Sequence, residues 1–373
     1  MRPTYEVINL SNLKYNYLNI RRKIKDVKVM AVVKADAYGH GSVEIANALN
    51  SLKVKKPEYF AVAIPEEAIE LRKHRVKQPI LVFDPFNNTQ AELVLKYNVM
   101  PTVFSDDHIK VLLNAINNTS KCKRIKIHVK VDTGMNRLGI DYKHAFNFVK
   151  KISRNDNFII DGIYTHFATS DEKDKTFAKL QLKRFKVLLN ELKKEKISYG
   201  LAHAANSGAI LDMPESYLGM VRPWIILYGY YPSLKTTGSI KVVPVMSLFS
   251  SVTSVKNIAK GESVSYGRRF KASKETKIAS VPIGYADGFS RGLSNSAKAI
   301  IKGKLVQQVG TVTMDRIMFD VGNEKILPRD KVTLLGKDGK YKVDAQDWAN
   351  ILRTIPYEII CGISKRVPRT YKD

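Results

Sequence analysis

The apolar run Met30-Ala31-Val32-Val33 ends on Lys34, and a tyrosine and two glycines follow within the segment MAVVKADAYGHGS. Other chemically able residues stand at the ends of apolar runs in the same way. Lys130 and Asp132 end IKIHVKVD, with Arg137 close behind in TGMNRLG; His166 ends IDGIYTH; Asn206 and Ser207 follow LAHAA; Arg222 precedes PWIILYG. Each alone has a plain structural explanation: a snorkelling lysine, cations beside carboxylates, a core histidine, a helix cap. Gathered on one rim, they would surround a lysine nucleophile with cations and hydroxyl donors, a setting that suits an anionic cofactor. A lysine partly desolvated among cations becomes a usable amine nucleophile. Its characteristic use is a Schiff base, with a carbonyl substrate or with pyridoxal 5'-phosphate. Ser207, Tyr38 and the N–H groups at a helix start are suited to a phosphate.

A single rim requires a scaffold that delivers strand ends to one place. Up to about residue 232 the chain alternates short β-rich runs with amphipathic stretches. The expected strands are Val29–Lys34, Tyr59–Ile64, Ile80–Phe83, Met100–Phe104, Ile125–Val131, Ile159–His166, Leu201–Ala204 and Ile225–Tyr228. Helical spacing falls near 12–25, 43–50, 66–74, 90–96, 106–116, 143–152 and 175–195. This predicts an α/β fold, an N-terminal (β/α)8 TIM-type barrel, whose active site lies at the C-terminal ends of its strands. An open doubly wound sheet is the alternative, but no G-x-G-x-x-G follows the first strand. After residue 235 strands and glycine-marked turns dominate, with one helix near Ala345–Leu352. The expected division is a barrel domain over 1–235 and a C-terminal mainly-β domain over 236–373, meeting in the Pro232–Ser239 turn region.

Composition narrows the class. A content of 44% hydrophobic and 26% charged residues describes an ordinary globular chain. No apolar stretch approaches bilayer length, and no signal-peptide h-region follows the N-terminal residues. Cys122 and Cys361 have neither metal-ligand spacing nor a disulfide framework; no metal is expected, and a reduced, cytoplasmic chain is. The net charge of +27 would permit nucleic-acid binding. The lysines are spread through nearly every polar segment, however, with no interleaved aromatics, and read as a solvated surface. No specific nucleic-acid or membrane partner is expected.

The segments AVVKADAYGHG, VKVDTGMNRLG, THFATSDE, HAANSGA, VRPWIILYGYYPS, VSYG, IGYADGFSR, GTVTMDRIMFDV and PYEIICGISKRVPR occur in this order and cover nearly the whole chain. Together they closely resemble bacterial alanine racemases. The resemblance implies a pyridoxal-phosphate barrel followed by a β domain, and interconversion of L- and D-alanine that supplies peptidoglycan. It implies that Lys34 holds the cofactor and acts as base for the D-alanine α-proton, with Tyr266 the base on the opposite face. Arg222 would lie against the pyridine nitrogen, and His166 would link it to Tyr266. Tyr38, Ser207 and Tyr357, with the backbone at Trp224 and Ile225, would take the phosphate. Arg137 and the N–H of Met314 would hold the substrate carboxylate. Lys130 matches a lysine often carbamylated, a change that would let it orient Arg137. Tyr285, with Tyr357 and Tyr266, would narrow the entrance, while Asn206 and Asp315 support the site from its motifs. The family acts as a head-to-tail homodimer in which Tyr266 and Met314 complete the partner's site.

Some positions depart from the family's usual pattern. Trp224 stands where glycine is common, Phe289-Ser290 replaces a more usual pair near the entrance, and Thr313 and Arg316 stand where cysteine and glutamine are frequent. None removes a catalytic group, but substrate breadth stays open to a broader amino-acid racemase, for example one acting on serine. A decarboxylase of the same architecture fits less well, because it would gain from a protonated ring facing a carboxylate.

Overall fold

The computed structural model describes residues 2–119 and 124–373; Cys122 lies outside them. By its internal contacts the chain forms two units, one of Lys14–Val242 and one of Met1–Leu13 with Val243–Asp373.

The first unit is a closed barrel of eight parallel strands: Lys28–Val32, Tyr59–Val62, Ile80–Val82, Met100–Val103, Ile125–Asp132, Phe158–Tyr164, Leu201–His203 and Met220–Val221. Successive strands are neighbours, and the barrel closes where Met220 and Val221 pair with Lys28 and Val29. The strands Lys28–Val32, Ile80–Val82 and Met100–Val103 are apolar and buried almost end to end, as expected of strands covered on both faces. The helices between them begin with recognisable signals. Pro65 opens Pro65–Lys73, Asn87 caps Asn88–Lys96, and the Ser105 hydroxyl accepts from the His108 N–H at the start of Asp106–Asn117.

The eighth strand corrects the sequence reading. Ile225–Tyr228 is a fully buried 3-10 turn, and the strand is the two-residue Met220–Val221. A four-residue apolar run has no period that separates strand from helix, and a two-residue strand has no pattern at all.

The second unit is a largely antiparallel sheet. Its order is Ser254–Ile258, Thr276–Val281, Ile317–Gly322, Lys304–Gln308, Lys298–Ile301, Lys331–Asp338, Met246–Ser251, Tyr5–Asn9 and Arg369–Lys372, with Tyr341–Val343 paired to Lys331–Asp338. Helices Ala345–Leu352 and Pro356–Cys361 accompany it. The strand Tyr5–Asn9 pairs antiparallel with Met246–Ser251 and parallel with Arg369–Lys372. The N-terminal residues therefore belong to this unit, and the first unit runs to Val242, in contrast to the expected 1–235 and 236–373. The reason is long-range pairing: Tyr5 finds Phe249, a partner that local spacing does not disclose.

Candidate active site

Lys34 follows the first barrel strand and opens a turn of unusual hand. Ala35, Asp36, Ala37 and Tyr38 all have φ between 52 and 55°, a left-handed run of non-glycine residues. Each such residue costs on the order of 1 kcal/mol, so the surroundings must hold the turn. The Ala35 N–H donates to Glu67 Oε1 at 2.6 Å, the Ser42 N–H to Asp36 Oδ1 at 2.8 Å and the Gly41 N–H to the Asp36 carbonyl at 2.9 Å. The His40 ring closes on the carbonyls of Ala37 and Tyr38 at 3.0 and 2.9 Å. Gly39 and Gly41, at φ 83 and 89°, release the chain into the next helix. The turn buries Tyr38 against Tyr228, with ring centroids 5.0 Å apart.

A cavity of about 200 Å³ opens at this rim. Lys34, Lys130, Arg137, Arg222, His166 and Trp224 line it, and Asp84 is the only carboxylate among its lining residues. Strand alternation explains much of this set. Tyr164 and His166 stand two apart, as do His128 and Lys130, so each pair points inward. Lys130 is 6% exposed, with Nζ 5.7 Å from the centre of the Tyr164 ring. Burial, then the nearby Arg137 and Arg222, lowers its pKa to about 8. Arg137 follows a turn tied by Asp132, whose Oδ1 accepts from the N–H groups of Gly134 at 2.8 Å and Asn136 at 3.2 Å.

Arg222 is almost wholly buried. Its Nη2 donates to the carbonyls of Thr165 at 2.8 Å and Ala204 at 3.0 Å and faces His166 Nδ1 at 3.3 Å. Burial lowers its pKa to about 10, which leaves it charged at neutrality. His166 is pushed well below the usual histidine range by burial and by the field of Arg222, Arg137, Lys130 and Lys34. It is therefore neutral, and because arginine only donates, Nδ1 accepts and Nε2 carries the proton. Asn206 caps Ser207–Asp212 by accepting the Ala209 N–H at 3.1 Å, and it also accepts from Ser170 Oγ at 2.6 Å. Ser207 Oγ accepts the Trp224 N–H at 3.1 Å. A hydroxyl and a backbone N–H thus converge beside the buried Ile225.

The remaining expected residues belong to the second unit. Tyr266 sits between the short strands Ser263–Val264 and Phe270–Lys271. Its carbonyl accepts from Thr311 Oγ1 at 2.7 Å, and Ser265 Oγ donates to the Thr311 carbonyl at 2.6 Å. The same loop continues to Met314: the Tyr285 N–H donates to the Thr313 carbonyl and the Ala286 N–H to the Met314 carbonyl, both at 3.1 Å. Asp315 pairs with Arg366 at 2.7 Å, and Tyr357 lies in the first turn of Pro356–Cys361. Tyr266, Met314 and Tyr285 are 75%, 52% and 44% exposed.

The family model described as the alanine racemase N-terminal domain matches residues 8–232, and that of the C-terminal domain matches residues 245–371. The chain belongs to the alanine racemase family. It is 41% identical over its full length to alanine racemase 1 of Clostridium acetobutylicum, covering 96% of that protein. It is 43% identical to the alanine racemase of Methanococcus maripaludis, with 99% of this chain and 98% of that one covered. The solved alanine racemase of Clostridium difficile superposes with a TM-score of 0.93 at 36% identity, over 99% of this chain and 96% of that one. An alanine racemase structure from Bacillus anthracis with bound L-Ala-P gives 0.92 at 34% identity, over 100% of this chain and 96% of that one.

Alanine racemases depend on pyridoxal phosphate, and the donor set of the barrel cavity fits such a group. One lysine amine, three further cations and a hydroxyl beside an N–H suit an aldehyde carried on a phosphorylated ring. Sequence reasoning missed Asp84, Tyr164, His128 and His203. Asp84 stands two residues past the Ile80–Val82 strand, and the other three lie on inward-facing strand positions, so a search along strand faces and ends would have found them.

Proposed function

We propose that this chain interconverts L- and D-alanine with Lys34 and Tyr266 as the two proton-handling groups, one for each face of the α-carbon. Racemisation needs both, because the proton leaves one face and returns on the other. The observation that carries the reading is Lys34, delivered by the first barrel strand into a cavity that Lys130, Arg137 and Arg222 also line. Pyridoxal phosphate supplies, when bound, an electron sink for the pair left on the α-carbon. Side chains do the rest. Lys34 anchors the cofactor and takes the D-alanine proton; Tyr266 takes the L-alanine proton. Arg222 would lie against the ring nitrogen and, because it does not surrender its proton, would leave that nitrogen unprotonated and so hold down diversion into transamination. His166 carries N–H on Nε2 and tunes the Tyr266 phenol.

Arg137 and the Met314 N–H hold the substrate carboxylate, while Lys130, carbamylated to an anion, orients Arg137. Tyr38, Ser207 and Tyr357, with the N–H groups of Trp224 and Ile225, take the phosphate. Tyr285 narrows the entrance to suit a methyl group, and Asn206 and Asp315 brace the loops around these groups. The curated relatives are named for alanine, which favours it over serine. The working form is a homodimer in which the second unit of one chain completes the barrel site of its partner. The exposure of Tyr266, Met314 and Tyr285 on one loop cluster supports this. The product serves peptidoglycan synthesis in the cytoplasm; among the described residues no helix is long and apolar enough to cross a membrane.

The test is the visible spectrum of protein loaded with pyridoxal phosphate. The wild type is expected to show the band of lysine-bound cofactor, and Lys34→Ala to lose it. A band that persists in Lys34→Ala would overturn the assignment.

A further inference from the structure

The barrel interior beneath the site holds a file of polar groups where branched apolar side chains are the rule. Nη1 of Arg222 meets Nδ1 of His203 at 2.8 Å, Nε2 of His203 meets Nδ1 of His128 at 2.9 Å, and Nε2 of His128 faces Oδ2 of Asp161 at 3.6 Å. Both imidazoles are fully buried. Nε2 of His128 has no hydrogen-bond partner among the described residues, and the Asp161 carboxylate is the acceptor it faces. At the outer end Asp161 accepts from the Tyr59 hydroxyl and pairs with Lys126, each at 2.9 Å.

We infer that Asp161 is a remote positioning residue for Arg222: its charge faces Nε2 of His128 across 3.6 Å, and the hydrogen bonds from Arg222 to His203 and from His203 to His128 form a one-way relay that ends on that nitrogen. A guanidinium only donates and a carboxylate only accepts, so the ends fix the direction. Arg222 forces Nδ1 of His203 to accept, which puts that proton on Nε2. Nε2 then donates to Nδ1 of His128, whose proton is left on the nitrogen facing Asp161. The relay works only while both rings are neutral. Burial lowers the pKa of both; at His128 it prevails over the opposing pull of Asp161, with Arg222 and Lys126 helping, and at His203 Arg222 and His128 add to it. The Asp161 carboxyl is held well below the usual range, first by the His128 ring it faces and then by Lys126 and Tyr59.

The surrounding strands make room for these rings. A β-carbon on Gly162 would lie 2.5 Å from Cε1 and 2.6 Å from Nδ1 of His128, so the strand omits a side chain where the ring lies. Tyr164 stacks flat on His203, with centroids 4.8 Å apart and planes 10° from parallel. A buried polar file of this kind is a poor source of stability compared with apolar packing. Its product is orientation: two carbonyls, His166 and the relay hold the guanidinium, leaving Nε–H and one Nη1–H without a partner among the described residues. The use of that orientation rests on the reading that Arg222 faces the cofactor ring.

The test is nitrogen NMR of the holoenzyme with labelled histidine. His128 and His203 are expected as neutral rings protonated on Nε2. Asp161→Asn keeps the shape and removes the charge. It is expected to shift the signals of both rings, including His203, which Asp161 does not touch, and to move the cofactor absorbance maximum. Lys126→Met, which removes the outer partner of the same carboxylate, is expected to leave the maximum in place. A charged ring, an Nδ1–H tautomer, or an Asp161→Asn change confined to His128 with an unmoved maximum overturns the relay. Alanine racemisation by the same wild-type sample separates the two claims. Activity with the wrong tautomers removes the relay alone, and inactivity with the expected tautomers removes the functional reading alone.

Discussion

Nζ of Lys34 lies 5.6 Å from the centre of the Trp224 indole, and the same ring meets His166 edge-on with centroids 4.9 Å apart. An indole at this point stands beside both Lys34, the proposed anchor of the cofactor, and the histidine next to Arg222. Its electron-rich face attracts a cation, so this side chain enters the chemistry of the site directly. Trp224 also reports on loading, because the second tryptophan, Trp348, is buried in the sheet unit. Pyridoxal phosphate is expected to quench wild-type emission, and Trp224→Phe is expected to lose most of the cofactor-dependent part. Quenching undiminished in Trp224→Phe would show that the indole is not in contact with the cofactor.

Lys130 makes a prediction about pH. Its pKa falls from 10.5 to about 8 in the folded chain, chiefly through burial. Below about pH 8 the folded protein with Lys130 uncarbamylated carries a buried cation, a cost of up to about 3 kcal/mol. Between about pH 8 and 10.5 the unfolded chain holds a proton that the folded chain has released, so stability rises with pH in that window. Lys130→Met is expected to be more stable than the wild type at pH 7, with the advantage shrinking towards pH 10.5. Urea unfolding of cofactor-free protein in carbonate-free buffer measures this. An advantage that grows with pH would contradict the assigned shift.

How far the chain could be read in advance depended on the range of the forces involved. The helix over 175–195 is visible because its burial follows a local period, and the strand Ile125–Val131 because its apolar residues alternate with polar ones although nearly all of them are buried. Tyr5–Asn9 was not, because its place is set by Phe249 and Arg369, residues far along the chain. Ile225–Tyr228 misled because burial on all sides erases periodicity. At the site, the rim cations were legible as polar interruptions of apolar runs. The left-handed turn after Lys34 was announced only by Gly39 and Gly41, since Ala35 to Tyr38 are held there by Glu67 and Asp36, not by their own preference. Nothing in the sequence singles out His128 and His203, which the barrel puts 2.9 Å apart.

Sharing of sites between partners has a test that needs no structure. Lys34→Ala and Tyr266→Phe chains are each expected to be nearly inactive. If Tyr266 serves the partner's barrel, a mixed dimer carries one site with both changes and one with neither. Mixing the two inactive proteins under exchanging conditions is expected to restore activity in the hybrid. No recovery, with hybrid dimers demonstrated by mass, would place Tyr266 and Lys34 of one chain in the same site.

The claim that Lys34 and Tyr266 divide the two faces of the α-carbon is tested most directly by proton exchange in deuterium oxide. Tyr266→Phe, loaded with pyridoxal phosphate, is offered L-alanine and D-alanine separately, and deuterium at the α-carbon is followed by mass spectrometry. The expected result is that exchange from D-alanine survives through Lys34, while exchange from L-alanine falls by about the 10²–10⁴-fold that a positioned base contributes. Equal exchange of both enantiomers would contradict it.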